Sequence, residues 1–176
     1  MSQGARVAVA AALAYPEHID ALVLGGAPWL AAAGAASSEA KEDELPLRRL
    51  RTLLQQEGEA ALQRAVLELP LMKLHTSLAS SHAVLTRCVG NYRGTDLADA
   101  MRVQQALALG DLRQSVLVVN GALDTPRRLE AGKRLNQQIK GSHRTLLENA
   151  GHLAALDAPD EYGRVVVKFL ERAPAK

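Results

Sequence analysis

The chain of 176 residues has little of several features that mark particular classes of protein. It contains one cysteine, Cys88, so an internal disulfide is excluded, which fits a cytoplasmic protein. Aromatic residues make up 3% of the sequence, the net charge is +2, and no Lys/Arg run with interleaved aromatics is present. Nucleic acid is therefore not an expected partner. Cys88 itself is predicted to be a small buried residue on a helix.

Long apolar runs and cofactor motifs are also lacking. No apolar run approaches the roughly 20 residues of a membrane-spanning helix, so no membrane contact is expected. No His/Cys/carboxylate spacing indicates a metal site and no glycine-rich phosphate loop is found, so no cofactor is predicted. The first residues resemble a weak signal peptide, but their apolar stretch is rich in alanine and its one positive charge is Arg6.

What the sequence does contain is an alternation of apolar strands and helices. Strands are predicted at residues 21–27, 115–120 and 143–148, and helices at residues 3–15, 127–139 and about 157–172. The first helix is small and apolar on nearly every face, so it is expected to be buried. The last helix is expected to bury Val165, Val166, Phe169 and Leu170. This alternation predicts an α/β protein with a parallel sheet.

The middle of the chain has a different pattern of apolar residues. Leucines at helical spacing, among them Leu47, Leu50 and Leu54, predict several helices within residues 30–110. We interpret this stretch as a helical cap, or lid. The predicted core then consists of residues 1–29 and 111–176. The predicted lid residues that line a pocket are Trp29, Leu30, Met72 and Tyr92, and packing inside the lid is the alternative use of each.

The sequence places a serine, a carboxylate and a histidine at three junctions between predicted strands and helices. Ser2 opens the first helix, Asp124 follows the second strand, and His152 follows the third. The carboxyl ends of parallel strands share one rim of the sheet, so the three side chains are expected to face it together. In that arrangement Ser2 is the nucleophile, His152 the base and Asp124 the group that orients it, while the Gln3 N–H stabilises the oxyanion.

Each of these residues also has an ordinary interpretation. Serine is favoured as a helix N-cap, an aspartate before Thr-Pro suits a turn that caps the next helix, and a histidine after glycine is common in loops. The remaining histidines, at positions 18, 75, 82 and 143, are interpreted as surface or lid residues.

These residues lie in segments that resemble the α/β-hydrolase superfamily, in its cap-bearing branch of esterases, lactonases and C–C bond hydrolases. Met1-Ser2-Gln3-Gly4 matches the end of the G-x-S-x-G nucleophile elbow, and similar segments occur at residues 15–28, 116–126 and 148–159. The last is the most specific, with Gly-His, a short linker and Asp-x-Pro before an amphipathic helix. The resemblance implies a serine hydrolase with Ser2, Asp124 and His152 as its triad.

The sequence departs from the superfamily at its start. Members carry several strands before the elbow, and an early loop that supplies a second oxyanion donor, and neither has a counterpart here. The resemblance therefore implies a fold that lacks its N-terminal part. The strand at residues 21–27 is then expected to leave an apolar sheet edge, through which the chain forms a homo-oligomer. The alternative function is a truncated, catalytically silent fragment or interaction module.

Overall fold

A computed structural model describes residues 1–28, 46–99 and 107–173 and contains one parallel sheet in these ranges. Its strands are β1 (Ala21–Gly25), β2 (Ser115–Gly121) and β3 (His143–Leu147), which lie side by side in chain order with β2 in the centre. Ala21 pairs with Ser115, and Leu117 pairs with His143. The predicted α/β class with a parallel sheet is confirmed.

Eight α-helices are found in the described ranges, and short 3-10 turns lie between some of them. In chain order the helices are α1 (Gln3–Ala14), α2 (Leu47–Glu57), α3 (Glu59–Leu67), α4 (Ala79–Gly90), α5 (Asp96–Asp99), α6 (Pro126–Gln138), α7 (Ala154–Asp157) and α8 (Pro159–Leu170). No helix among the described residues has the length and the apolar character that crossing a membrane requires.

Alternation along β2 divides the core into two layers. Val116 and Val118 point to one face, where they pack with residues of α1 and α6. Leu117 and Val119 point to the other face, where α7 and α8 supply the cover. Successive side chains of a strand face opposite sides, so a strand that is apolar throughout must be covered on both. This is why β2 is the central strand.

Three expectations about burial are wrong in part. Helix α1 buries Ala5, Val9 and Ala12, but Val7 on its other side is 66% exposed, because only one face of α1 lies against the sheet. Helix α8 buries Phe169, whereas Leu170 is 49% exposed. Cys88 lies on α4 and is exposed, since it is outside the face that α4 turns toward the lid core.

The helices between β1 and β2 have a core of their own. Its buried members are Leu50, Leu62, Val66, Leu69, Val89 and Leu97. Gly94 lies above this core with a φ of 69°, and a Cβ there would come within 3.0 Å of Leu62 and Leu54 side-chain atoms. A glycine is therefore needed both for the backbone turn and for the close approach. We refer to α2–α5 and their connections as the lid.

The side of β1 away from β2 forms an edge of the sheet within the described residues. The Gly26 N–H donates to the Val119 carbonyl of β2, so the backbone groups of the preceding residue, Gly25, face the opposite side. There the Gly25 carbonyl accepts a hydrogen bond of 2.8 Å from the Ser2 N–H. The start of α1 is thereby attached to the edge of the sheet.

Replacing Gly132 tests the packing of α6 on β2. A Cβ at Gly132 would lie 1.9 Å from Oδ1 of the fully buried Asn120, which accepts from Arg144 Nε at 3.1 Å. We expect Gly132→Ala to lower the free energy of unfolding by about 1–3 kcal/mol, because Asn120 must move. The matched control is Gly163→Ala on α8, where a Cβ meets nothing within 4 Å.

The control is expected to raise the free energy of unfolding by about 0.5–1 kcal/mol, because alanine is the better helix former. Denaturant unfolding of both variants measures the difference. Equal effects at the two glycines would contradict the close packing described for Gly132.

Candidate active site

Two loops meet at the carboxyl ends of β2 and β3. The Ala122 N–H donates to the Leu147 carbonyl at 2.9 Å, and the Leu123 N–H donates to the Ala150 carbonyl at 2.9 Å. These bonds hold the loop that carries Asp124 beside the loop that carries His152. Gly121 permits the approach, because a Cβ there would lie 2.1 Å from the Ala150 carbonyl oxygen. Backbone contacts thus hold the two loops side by side.

Asp124 and His152 form a buried pair. The His152 Nδ1 lies 3.0 Å from Asp124 Oδ2, and the two side chains are 1% and 0% exposed. The other carboxylate oxygen, Oδ1, accepts the Thr125 N–H at 2.7 Å. Thr125 is the residue whose side chain caps α6, by accepting from the Arg128 N–H. Asp124 therefore orients the imidazole rather than capping the helix.

The hydrogen bond to Asp124 decides which nitrogen of neutral His152 is free to act. A carboxylate only accepts, so Nδ1 carries the proton and Nε2 presents a lone pair. Nε2 is buried and has no hydrogen-bond partner within the part of the chain that is described. Buried polar atoms are nearly always satisfied, so an unsatisfied one at this position is a functional signal. In this tautomer Nε2 is the ring nitrogen that can accept a hydrogen bond or a proton.

Ser2 has the backbone conformation of a strained turn. Its φ is 49° and its ψ is −124°, and it is the only non-glycine residue with positive φ among the described residues. Its side chain makes no capping hydrogen bond to α1, so the N-cap interpretation is not what the structure shows. Strained backbone of this kind is concentrated at functional sites. A serine on a sharp turn into a helix is the geometry of a nucleophile elbow.

Gly25 and Gly26 connect Ser2 to the histidine. Gly25 accepts the Ser2 N–H, and a Cβ on Gly26 would lie 2.8 Å and 2.9 Å from Cε1 and Nδ1 of His152. The backbone of Gly26 thus lies directly against the imidazole ring. The structure does not join the serine hydroxyl to the ring, since Nε2 has no partner among the described residues. It brings Asp124 and His152 together, and it attaches Ser2 to Gly25, the residue before Gly26.

Two further groups surround the start of α1. Gln3 is the first residue of this 12-residue helix, where N–H groups have no partner inside the helix. Such a donor is available to a developing negative charge. On the opposite side, a Cβ at Gly25 would lie 3.2 Å from the Tyr162 hydroxyl. Burial raises the pKa of Tyr162, so its phenol stays neutral behind the turn.

Solved structures similar to this chain share one fold. A thermophilic esterase from Thermogutta terrifontis is 20% identical, with a TM-score of 0.77, over 99% of this chain and 64% of its own. The enol-lactonase from Burkholderia xenovorans is 21% identical, with a TM-score of 0.70, over 98% of this chain and 64% of its own. No protein-family model matches the sequence, and comparison with curated proteins gives no match.

The chain has the α/β-hydrolase fold. It corresponds to the carboxyl-terminal part of that parallel sheet with a helical lid inserted, and it spans about 65% of the length of the similar structures. A hydrolase of 2-hydroxy-6-oxo-6-phenylhexa-2,4-dienoate from Rhodococcus belongs to the same group, at 18% identity and a TM-score of 0.67 over 97% of this chain.

The structure describes two of the four predicted lining residues, Met72 and Tyr92. Trp29 and Leu30 lie outside the described residues. Met72 and Tyr92 pack, partly buried, against the lid core. The Tyr92 hydroxyl donates to Asp96 at 2.8 Å, and burial together with this carboxylate raises the pKa of Tyr92. No group of three His, Cys, Asp or Glu side chains suited to a metal occurs in the described ranges.

Sequence reasoning missed two residues that contact the loop of His152. Asp157 is buried and accepts the Gly151 N–H at 2.7 Å, although the sequence suggested only the opening of the last helix. His75 lies in the lid, one of the two alternatives given for it, and its ring lies against Gly151. The Asp-x-Pro pattern was a usable signal for Asp157. The sequence offers none for His75, which lies 82 positions from its hydrogen-bond partner Asp157.

The strain at Ser2 predicts a stability difference between two variants that both lack the hydroxyl. Ser2→Gly adopts a φ of 49° without a steric penalty, whereas Ser2→Ala retains the penalty. After allowing for the greater freedom of glycine in the unfolded chain, we expect Ser2→Gly to be more stable than Ser2→Ala by about 1 kcal/mol. Denaturant unfolding measures this. Equal stability would mean that no strain is held at this turn.

Proposed function

We propose that this chain carries the catalytic groups of a serine hydrolase that acts on a small ester, lactone or related carbonyl substrate. Ser2 is the nucleophile, His152 the general base and Asp124 the residue that orients it. The observation that carries the proposal is the buried Asp124–His152 pair, whose Nε2 has no partner in the described part of the chain. The strained Ser2 turn, attached to Gly25, supports the role of the serine.

The first half of the proposed reaction forms an acyl-enzyme. Ser2 Oγ attacks the substrate carbonyl carbon while His152 Nε2 takes the hydroxyl proton. Asp124 stabilises the imidazolium that results. The carbonyl oxygen becomes an oxyanion, which accepts a hydrogen bond from the Gln3 N–H. Collapse of this intermediate expels the alcohol or enolate, and the imidazolium returns its proton to the leaving group.

The second half of the proposed reaction hydrolyses the acyl-enzyme ester on Ser2. Water loses a proton to His152 Nε2 and adds to the acyl carbon, after which Ser2 leaves and recovers its proton from the imidazolium. All proton transfers use one nitrogen, so the reaction needs neither a metal nor a cofactor. We propose the cytoplasm as its compartment, which a free, exposed Cys88 supports.

The lid is proposed to select the substrate. The similar structures include an esterase and an enol-lactonase, which favours a carbonyl compound of modest size. Trp29, Leu30, Met72 and Tyr92 are the proposed lining residues of the pocket beneath the lid. One fold hosts many reactions, so the choice within this substrate class is a property of the pocket rather than of the triad.

A specific observation favours a second candidate, a catalytically silent fragment or interaction module. In the described part of the chain, Nε2 of His152 accepts no hydrogen bond from Ser2 Oγ. The two candidates differ in whether Ser2 reacts.

Labelling with a fluorophosphonate tests the reactivity of Ser2. We expect the full chain to be labelled on Ser2, and the label to be absent in Ser2→Ala. In His152→Ala the labelling rate is expected to fall at least about 100-fold, because the hydroxyl loses its base. The matched control is His143→Ala, since His143 is exposed at the start of β3 and away from the loop of His152. Mass spectrometry of the labelled peptide provides the measurement.

Two results would contradict the proposal that Ser2 is a nucleophile. Labelling that does not depend on Ser2, or hydrolysis of short p-nitrophenyl esters that is no faster than in Ser2→Ala, would favour the silent fragment. Labelling that is lost in His143→Ala as well would mean that these variants disturb the fold rather than the base.

The edge of β1 is the proposed surface of a homo-oligomer. Val23 lies two residues before Gly25 in β1, so its backbone N–H faces the same side as the backbone groups of Gly25, away from β2. We expect dimers in sedimentation velocity that increase with concentration. Val23→Pro removes the edge N–H and should shift the chain to monomer, whereas Val23→Ala, which keeps it, should not. A monomer at all concentrations would contradict the proposal.

A further inference from the structure

A segment of the lid lies on the loop that carries His152. The His75 N–H donates to Asp157 Oδ1 at 2.6 Å, and the Ser81 hydroxyl donates to the Leu156 carbonyl at 2.6 Å. The partners are separated by 82 and 75 positions in the sequence. Ser81 is itself buried. We call residues 75–81 the lid strap.

Asp157 contacts the strap and the loop at the same time. Its Oδ1 accepts from His75, while its Oδ2 accepts the Gly151 N–H at 2.7 Å. Gly151 is the residue immediately before His152. The carboxylate is buried, and both of its oxygens accept from backbone N–H groups. Charge-assisted hydrogen bonds of this length are among the stronger ones in proteins. Loss of one of them at a buried carboxylate raises the free energy of the folded state.

The His75 ring adds a steric contact to these bonds. A Cβ placed on Gly151 would lie 2.6 Å from Cδ2 and 2.8 Å from Nε2 of His75. The absence of a side chain at Gly151 therefore lets the ring of His75 approach the backbone next to His152 closely. Movement of the strap must either carry this backbone along or open a gap beside it.

We propose that Asp157 is a positioning residue that couples the lid to the catalytic base through the backbone of Gly151. The role of His152 as base rests on the proposed function. When the lid strap is docked, Asp157 is held from both sides and fixes Gly151, and with it the ring that Asp124 orients. When the strap leaves, Oδ1 loses its partner and the constraint on Gly151 weakens. A ligand that displaces the lid thereby changes the mobility of the base.

Asp157→Asn tests this coupling in the full chain. The amide keeps one acceptor oxygen and presents an NH₂ group in place of the other, so one of the two N–H partners must be lost. We expect amide hydrogen exchange of His75 or Gly151 to rise at least about tenfold, and the His152 Nδ1–H resonance to shift and exchange faster. The matched control is Asp160→Asn, which removes the same charge from an exposed site at the start of α8.

Ser81→Ala provides a second variant that leaves Asp157 intact. It removes the bond to Leu156 and loosens the strap, so exchange of the His75 amide should rise roughly fivefold, as for a neutral hydrogen bond. The coupling predicts that the His152 Nδ1–H also exchanges faster, by a smaller factor. If the His75 amide responds while the His152 signal is unchanged, the lid and the base are not coupled.

Two results in the first variant would also overturn the proposal. One is a folded Asp157→Asn whose His152 signal equals that of the parent, and the other is an equal change in Asp160→Asn. None of these readouts requires Ser2 to react. Absence of fluorophosphonate labelling would therefore contradict the proposed function and leave the coupling in place. A His152 signal that does not change would instead contradict the coupling and leave the proposed function in place.

Discussion

The hydrogen bond between Asp124 and His152 is the interaction around which the site is organised. It spans two loops that the parallel pairing of β2 and β3 places at the same rim of the sheet. Because both side chains are buried, neither can exchange its partner for water without opening the rim. The bond therefore fixes the ring and at the same time leaves Nε2 without a partner in the described part of the chain. One hydrogen bond thus sets both the orientation of the ring and its tautomer.

Small residues make that arrangement sterically feasible. Gly26 lies against the imidazole, Gly121 against the Ala150 carbonyl, and Gly151 against the ring of His75. A side chain at any of these positions would separate elements that must touch. The strained Ser2 turn is also attached through its backbone, because the Ser2 N–H donates to the carbonyl of Gly25 at the edge of β1. The site is consequently assembled from backbone approaches, with few side chains committed to support.

The lid is attached to the loop that carries His152. Its strap shares Asp157 with the loop that carries His152, so the lid and this loop bind the same carboxylate. Elsewhere the lid is held by its own core and by local contacts such as Arg51 to the Leu97 carbonyl.

The sequence by itself determined the strands, their parallel class and the positions of Asp124 and His152 at strand ends. These follow from alternation and turn signals within short windows, and such signals are local. Tertiary structure decided which oxygen of Asp124 faces the ring, the φ of Ser2, the exposure of Val7 and Cys88, and the attachment of His75 to Asp157. Each depends on contacts between residues far apart in the chain, where composition and spacing carry no information about which surfaces meet.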